Sequence, residues 1–343
     1  ATNTAVGQEA LQKNTTANFN VAVGYQALEE NTTGANNTAI GTNALDDNTT
    51  ASNNTAVGMG SMGANTTGDQ NVAVGVGALG NNTTGTINVA MGFQALNDNT
   101  TASNNTAIGN QALAVNTTGT RNTVLGSSAG AATTTGNDNT FVGYIAGGVG
   151  TVTGDNNTTL GTSAGKNLSS GSNNLLLGHD AGLSGSPGGP IDTESNEIVL
   201  GDENISAAHI QVSFTVASDK RDKTDVEPVK MGLDFVNKLE PVTYKWDKRS
   251  LYVEKGEDFN DIVPDGSHKE DWLDVGFLAQ DVEKLESEYG YNISDKTNLT
   301  TNVSENGEQY GLTYSKFVPM LVKSIQELST QVDELKTEIK ILK

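Results

Sequence analysis

The chain has no cysteine in 343 residues. Disulfides and thiolate metal sites are therefore excluded, and the redox compartment is not written in the sequence. Proline is scarce at 6 residues, and aromatics make up only 5%, too little to furnish two ordinary hydrophobic cores in a chain of this length. Positive charge is also sparse. The 20 Lys and Arg stand against 41 Asp and Glu, a formal charge of -21, which argues against nucleic acid or any other phosphate backbone as partner. No apolar run is long enough to span a membrane, and no charged-then-apolar leader opens the chain. The three histidines, His179, His209 and His268, are too scattered to suggest a metal site, and no cofactor is expected. Ala1 begins partway into a repeat without an initiator Met, which points to a piece of a longer protein.

What the sequence does have is a period. Taking the glycine of Asn-Thr-Ala-Val-Gly as marker, Gly7, Gly24, Gly41, Gly58, Gly75, Gly92, Gly109, Gly126 and Gly143 recur every 17 residues, and Gly161, Gly178 and Gly201 follow with steps of 18, 17 and 23. This gives about twelve coils. An Asn lies four residues before nearly every marker, as at Asn20, Asn37 and Asn54. Ala lies two before it in the first seven repeats, and an aliphatic residue or Met lies one before it throughout. Neighbours in a strand point to opposite faces, so Ala beside Val or Ile means that both faces are apolar. The reading is a β-solenoid or β-roll, with the Ala face against one neighbour and the Val/Ile face against another, a neighbouring chain being one candidate.

A second apolar pair, as in Ala27-Leu28, Ala44-Leu45 and Ala95-Leu96, supplies a return strand or a bend, and Asn-Thr-Thr-Gly turns the chain. At roughly 4.8 Å per coil the repeats would form a rod about 60 Å long. From Gly130 onward the Leu of the pair becomes Gly, so the coil narrows or changes its packing there. The Asn-Thr-Thr triplets match glycosylation sequons, but their regular phase favours turn chemistry. No Gly-Lys-Ser/Thr follows the glycines, so they do not form a phosphate loop. The repeats resemble the head β-rolls of trimeric autotransporter adhesins and the shaft segments of phage tail fibres. That resemblance implies an all-β repetitive fibre, trimeric, over residues 1–205.

Residues 206–217 alternate Ile210, Val212, Phe214 and Val216 with polar residues, a half-buried linking strand. Beyond it the composition becomes that of an ordinary α+β domain over 218–314. A helix is expected from Val229 to Leu239, stopped by Pro241. A strand follows over Val242–Trp246, then a polar, acidic excursion over 247–271. A second strand from Val275 runs into a helix over Asp281–Tyr289, and a hairpin fills the region between Asn292 and Thr313. The final helix, 315–343, carries Leu321, Ile325, Leu328, Val332, Leu335, Ile339 and Leu342 at alternating steps of 4 and 3. This is a coiled-coil seam and predicts association with like chains; β-branched residues at a with Leu at d favour two strands in isolation.

Four motifs in order carry a more specific resemblance: Ser218-Asp-Lys-Arg-Asp-Lys223, Leu239-Glu-Pro-Val-Thr-Tyr-Lys-Trp246, Gly276-Phe-Leu-Ala-Gln-Asp-Val-Glu283, and Tyr314-Ser-Lys-Phe-Val-Pro-Met-Leu-Val322 running into the heptads. Together they resemble the C-terminal intramolecular chaperone of endosialidase-type phage tailspikes. The resemblance implies a homotrimer, assisted folding of the preceding fibre, and self-cleavage at Ala217-Ser218 with Ser218 as nucleophile and Lys223 as general base. A serine hydroxyl needs a neighbour to take its proton, and a lysine can do so only when neutral, a state favoured by desolvation or by nearby cations such as Lys220 and Arg221. Spacing by itself fits equally a boundary serine beside a solvated lysine.

A virion tail fibre is the leading expectation, with a host-cell surface glycan or receptor as possible target and no membrane partner. A bacterial trimeric adhesin with the same chaperone, or a chaperone that does not cleave, is the alternative. A glycan-degrading activity finds no paired carboxylates in an aromatic cleft to support it.

Overall fold

The computed structural model describes residues 2–187, 189–205, 207–211, 216–252, 259–304, 307 and 309–342. The chain divides into two compact units, Ala1–Asn204 and Ile205–Lys343.

The first unit is a parallel β-solenoid. Its 12 strands lie in sequence order in one sheet, from β1 (Thr4–Val6), β2 (Val21–Val23) and β3 (Thr38–Ile40) through to β11 (Leu175–Leu177) and β12 (Ile198–Leu200). Val21, Ala22 and Val23 pair with Thr38, Ala39 and Ile40, so one 17-residue repeat is one coil. The longer steps do not disturb the register: Thr158 pairs with Thr140 and Ile198 with Leu175.

The marker glycines are required by the stacking. Gly24 has φ +143°, and a Cβ there would lie 2.4 Å from the Gly41 carbonyl oxygen of the next coil; no other residue fits both the angle and the space. The middle residue of each strand points inward, and Ala22, Ala39 and Ala56 are fully buried. They pack with the second apolar pair into one continuous core. That pair is a bend and not a return strand. Gln26 and Leu28 have φ +54°, and Leu45 has φ +53°, a left-handed conformation that branched side chains seldom adopt. The residues flanking the buried Ala face outward. Ile40 and Met91 are each 41% exposed, so the second apolar face of the sheet is open in the single chain.

The asparagines do more than turn the chain. Asn37 donates its backbone N–H to Asn20 Oδ1 (2.8 Å) and its Nδ2 to the Ala51 carbonyl (2.8 Å), and the same pair of bonds recurs from coil to coil. A second column runs beside it, with Asn48 Nδ2 donating to Asn31 Oδ1 (2.8 Å) and to the Ala51 carbonyl (3.1 Å). These ladders satisfy backbone groups that the short strands leave over, deep in the interior. Asn31, Asn48, Asn65 and Asn82 are fully buried, so these sequon asparagines cannot present their amides to a glycosylating enzyme in the folded coil.

Beyond the seventh strand the core positions exchange size. Ala107 is followed in register by Val124 and then Phe141. Leu113 gives way to Gly130 and Gly147, and Asn116 to Thr133 and Val152. Phe141 and Val152 fill the space that Leu and Asn leave, so the coil keeps its core by repacking. The second Asn column stops at Asn116, whose Oδ1 is buried without a partner, as are the hydroxyls of Thr133 and Thr159.

The second unit has α1 (Leu233–Lys238), β13 (Val242–Tyr244), β14 (Asp274–Gly276), α2 (Ala279–Glu288), β15 (Thr301–Val303), β16 (Tyr310–Leu312) and α3 (Phe317–Ile341). β13 pairs antiparallel with β14, and β15 with β16. Met231, Phe235, Val282, Leu285, Phe317 and Met320 form its core. Helix α1 is shorter than its apolar spacing predicts. It begins after Gly232, where the Glu327 carboxylate of α3 accepts from the Leu233 N–H (2.7 Å). The seam residues of α3 are uncovered, with Ile325 at 67% and Leu335 at 56% exposure. The expected linking strand, 206–217, lies outside the described residues at 206 and 212–215, and its described parts, 207–211 and 216–217, carry no strand.

Candidate functional site

Ser218 and Lys223, five residues apart, meet: Lys223 Nζ donates to Ser218 Oγ at 2.6 Å. The intervening residues fold into one 3-10 turn, Lys220–Asp222. Asp219 starts this turn. It has an extended backbone (φ -68°, ψ 132°), and its side chain accepts from the Arg221 N–H at 2.9 Å, the arrangement by which a short acidic residue caps a helix start. The Lys223 N–H then closes the turn on the Lys220 carbonyl. A fully extended segment would hold residues 218 and 223 about 17 Å apart; the turn brings their side chains into contact.

Arg221 is engaged within the same turn. Its guanidinium forks onto Asp219, Nη2 to Oδ2 at 2.6 Å and Nε to Oδ1 at 3.1 Å, which holds the Asp219 carboxyl below its ordinary value and raises Arg221. Ala217, Ser218 and Lys223 are all exposed in the single chain.

Asp219 escaped the sequence reading. Its signal is a short acidic side chain two residues ahead of a backbone N–H in a turn, common enough to pass unnoticed. The structure also joins motifs that the sequence keeps apart. Tyr314 Oη accepts from the Phe277 N–H (3.1 Å), and a Cβ on Gly276 would lie 2.3 Å from that oxygen. The Phe277 ring stacks on Tyr314 and tilts against Phe317. Glu286 of α2 is 1% exposed, and it accepts from the backbone N–H and the hydroxyl of Thr300 (both 2.6 Å) and from the hydroxyl of Thr301.

One histidine does join acidic neighbours. His179 Nδ1 lies 3.3 Å from carboxylate oxygens of both Asp180 and Asp202. His179 and Asp202 each follow a marker glycine, Gly178 and Gly201, so they are stacking neighbours across the 23-residue step. Burial works to raise Asp202, but bonds from Asn204 and His179 outweigh it and leave the carboxyl below its ordinary value. The partners of Asp202 are all protein groups that close the last coil. Among the described residues no helix is long and apolar enough to cross a membrane.

No curated protein and no solved structure matches the chain. Residues 218–291 match the model of a peptidase family described as the chaperone of endosialidase. The chain thus carries an endosialidase-type chaperone domain whose first residue is Ser218, preceded by a β-solenoid of 17-residue coils.

Proposed function

We propose that the protein is a homotrimeric fibre of the virion tail type, whose C-terminal unit aligns the chains, starts the solenoid in one register and then releases itself between Ala217 and Ser218. The observation that carries this reading is the 2.6 Å contact of Ser218 Oγ with Lys223 Nζ at the first residue of the family match.

Near-identical coils offer many wrong pairings one coil apart, each at little cost. A folded unit that trimerises at the end of the chain, through the open α3 seam, selects one of them. Its removal afterwards leaves the rod kinetically trapped.

In the cleavage step Ser218 Oγ attacks the carbonyl carbon of Ala217. Neutral Lys223 accepts the hydroxyl proton and passes it to the backbone nitrogen of Ser218 as the C–N bond breaks. The product is an ester of Ala217 on Ser218 Oγ with a free Ser218 amine. Water hydrolyses the ester, which restores the hydroxyl and frees the Ala217 carboxylate. A solvated ammonium does not accept a proton, so this reading places activation after assembly, when neighbouring copies dry the segment.

Denaturing electrophoresis with mass spectrometry of the full chain, beside Ser218→Ala and Lys223→Ala, tests the proposal. Wild type should give two fragments, one ending at Ala217 and one starting at Ser218, while both variants stay intact. A wild-type chain as intact as the variants would remove cleavage and leave the non-cleaving chaperone reading. A bacterial surface adhesin is the second setting that the same architecture supports.

A further inference from the structure

We propose that the open flank of the solenoid sheet is the surface along which copies of this chain pack on one another, parallel and in a single register. The inference rests on the homo-oligomeric reading above and adds where on the repeats the copies meet.

Two columns make up this flank: the last residue of each strand and the residue after each marker glycine. Ile40, Met91 and Leu160 in the first are 41%, 41% and 51% exposed, and Tyr25, Met59 and Phe93 in the second are 43%, 58% and 48% exposed. The first column is aliphatic or Met in every coil, whereas the second is apolar at Tyr25, Met59, Val76, Phe93 and Tyr144 and polar in the other coils; an unbroken exposed apolar row such as the first marks an interaction surface, whereas scattered side chains do not. On the opposite side of the strand, the column one residue before the ladder asparagine is polar in most coils, as Asn36, Asn53, Gln70 and Asn104 show.

Charge points to a second copy as the occupant. The chain carries -21, so like chains repel wherever their acidic bends approach, and Glu29, Glu30, Asp46 and Asp47 lie on those bends. None of the 12 strands contains a charged residue at any position. The sheet face is the part of the solenoid where two such chains can come together without bringing like charges into contact.

Period points the same way. Side chains spaced about 4.8 Å apart along the columns mesh coil for coil only with a partner of the same spacing, and another copy of the chain has that spacing. Eleven steps between strands give a stripe about 50 Å long and about 15 Å wide, on the order of 750 Å² per copy, near the roughly 800 Å² that each partner contributes to a standard interface.

The lack of native cysteine permits a clean test in the full chain. Met91→Cys and Ile40→Cys place a thiol on the flank, and Thr84→Cys places one on an exposed turn of the coil. Each variant is sized by light scattering and then reacted with a bulky maleimide, native and in denaturant. The proposal expects an assembled particle in which both flank thiols label at least about ten-fold more slowly than Thr84→Cys, the difference vanishing on denaturation. An assembled particle whose flank thiols label as fast as Thr84→Cys overturns this interface and leaves the oligomer intact. A monomeric mass overturns the oligomer reading and this inference together, whatever the labelling rates. If one flank variant fails to assemble while Thr84→Cys does, the other decides.

Discussion

Phe141 lies over Gly147 so closely that a Cβ on the glycine would come within 2.2 Å of the ring. This contact replaces the Ala22 and Leu28 pairing of the earlier coils. Gly147→Ala should therefore destabilise the solenoid by about 2 kcal/mol or more, from overpacking and from the cost of a side chain at φ +78°. Phe141→Ala alone should cost about 3–5 kcal/mol. Phe141→Ala combined with Gly147→Leu rebuilds the earlier pairing and should cost clearly less than Phe141→Ala and Gly147→Leu made singly and summed, as read by denaturant unfolding of the full chain. Additivity within about 0.5 kcal/mol would refute a shared site.

The ladders make a prediction of both signs. Asn71 accepts from the Asn88 N–H and donates to the Gly85 carbonyl, both at 2.9 Å and both buried. Asn71→Ala strands both groups and should cost about 2–5 kcal/mol. Thr159→Val removes a buried hydroxyl that has no partner and should be neutral or stabilising by about 1 kcal/mol. Melting temperatures of the two variants should move in opposite directions, or Asn71→Ala alone should fall.

Glu286 is the polar clamp of the chaperone unit. Its carboxylate holds Thr300 and Thr301 beside the end of α2. Glu286→Ala should cost about 2–4 kcal/mol by leaving buried donors unpaired, and hydrogen exchange should rise first at the Thr300 amide. Unchanged exchange there would show that the hairpin is held by other contacts.

Glu327 ties α3 to α1. The Leu233 N–H first, and then Lys323, hold its carboxyl below the ordinary value of 4.5. A depressed folded value contributes stability that is present above the unfolded value and is lost as pH falls through the folded one. Protection of the Leu233 amide should thus persist as acid reaches about 4.5 and fail only below it. Glu327→Gln should remove the pH step, and a wild-type step at or above the ordinary value would contradict the assignment.

How much of this was legible depends on whether a residue's reason lies within one coil or between coils. Gly24 was legible because its neighbour is itself one period on: a Cβ clash repeated every 17 residues leaves a repeated glycine. The helix α3 was legible because its heptads need no tertiary context. The ladder role of Asn20 and Asn31 was hidden, because Asn is equally at home in a turn and its partners appear only once the coils are stacked. The positive φ of Leu28 ran against propensity and has no local signal. Asp219 shows the same limit at the candidate site. The Ser218 and Lys223 spacing could be read, but not the capped turn that closes it, nor the fork that ties Arg221 to Asp219.

The exchange of core sizes after the seventh strand has a genetic consequence. Among the earlier coils, recombination that gains or loses a whole repeat joins Ala to Ala and Leu to Leu across the stack, so shaft length can drift without a misfit. A crossover that splices an early coil directly onto the coil of Phe141 sets a leucine in place of Gly130, where even a Cβ would lie 2.9 Å from that ring. Gain or loss of a whole repeat is thus compatible with the core among the upstream coils and not at the segment around Phe141.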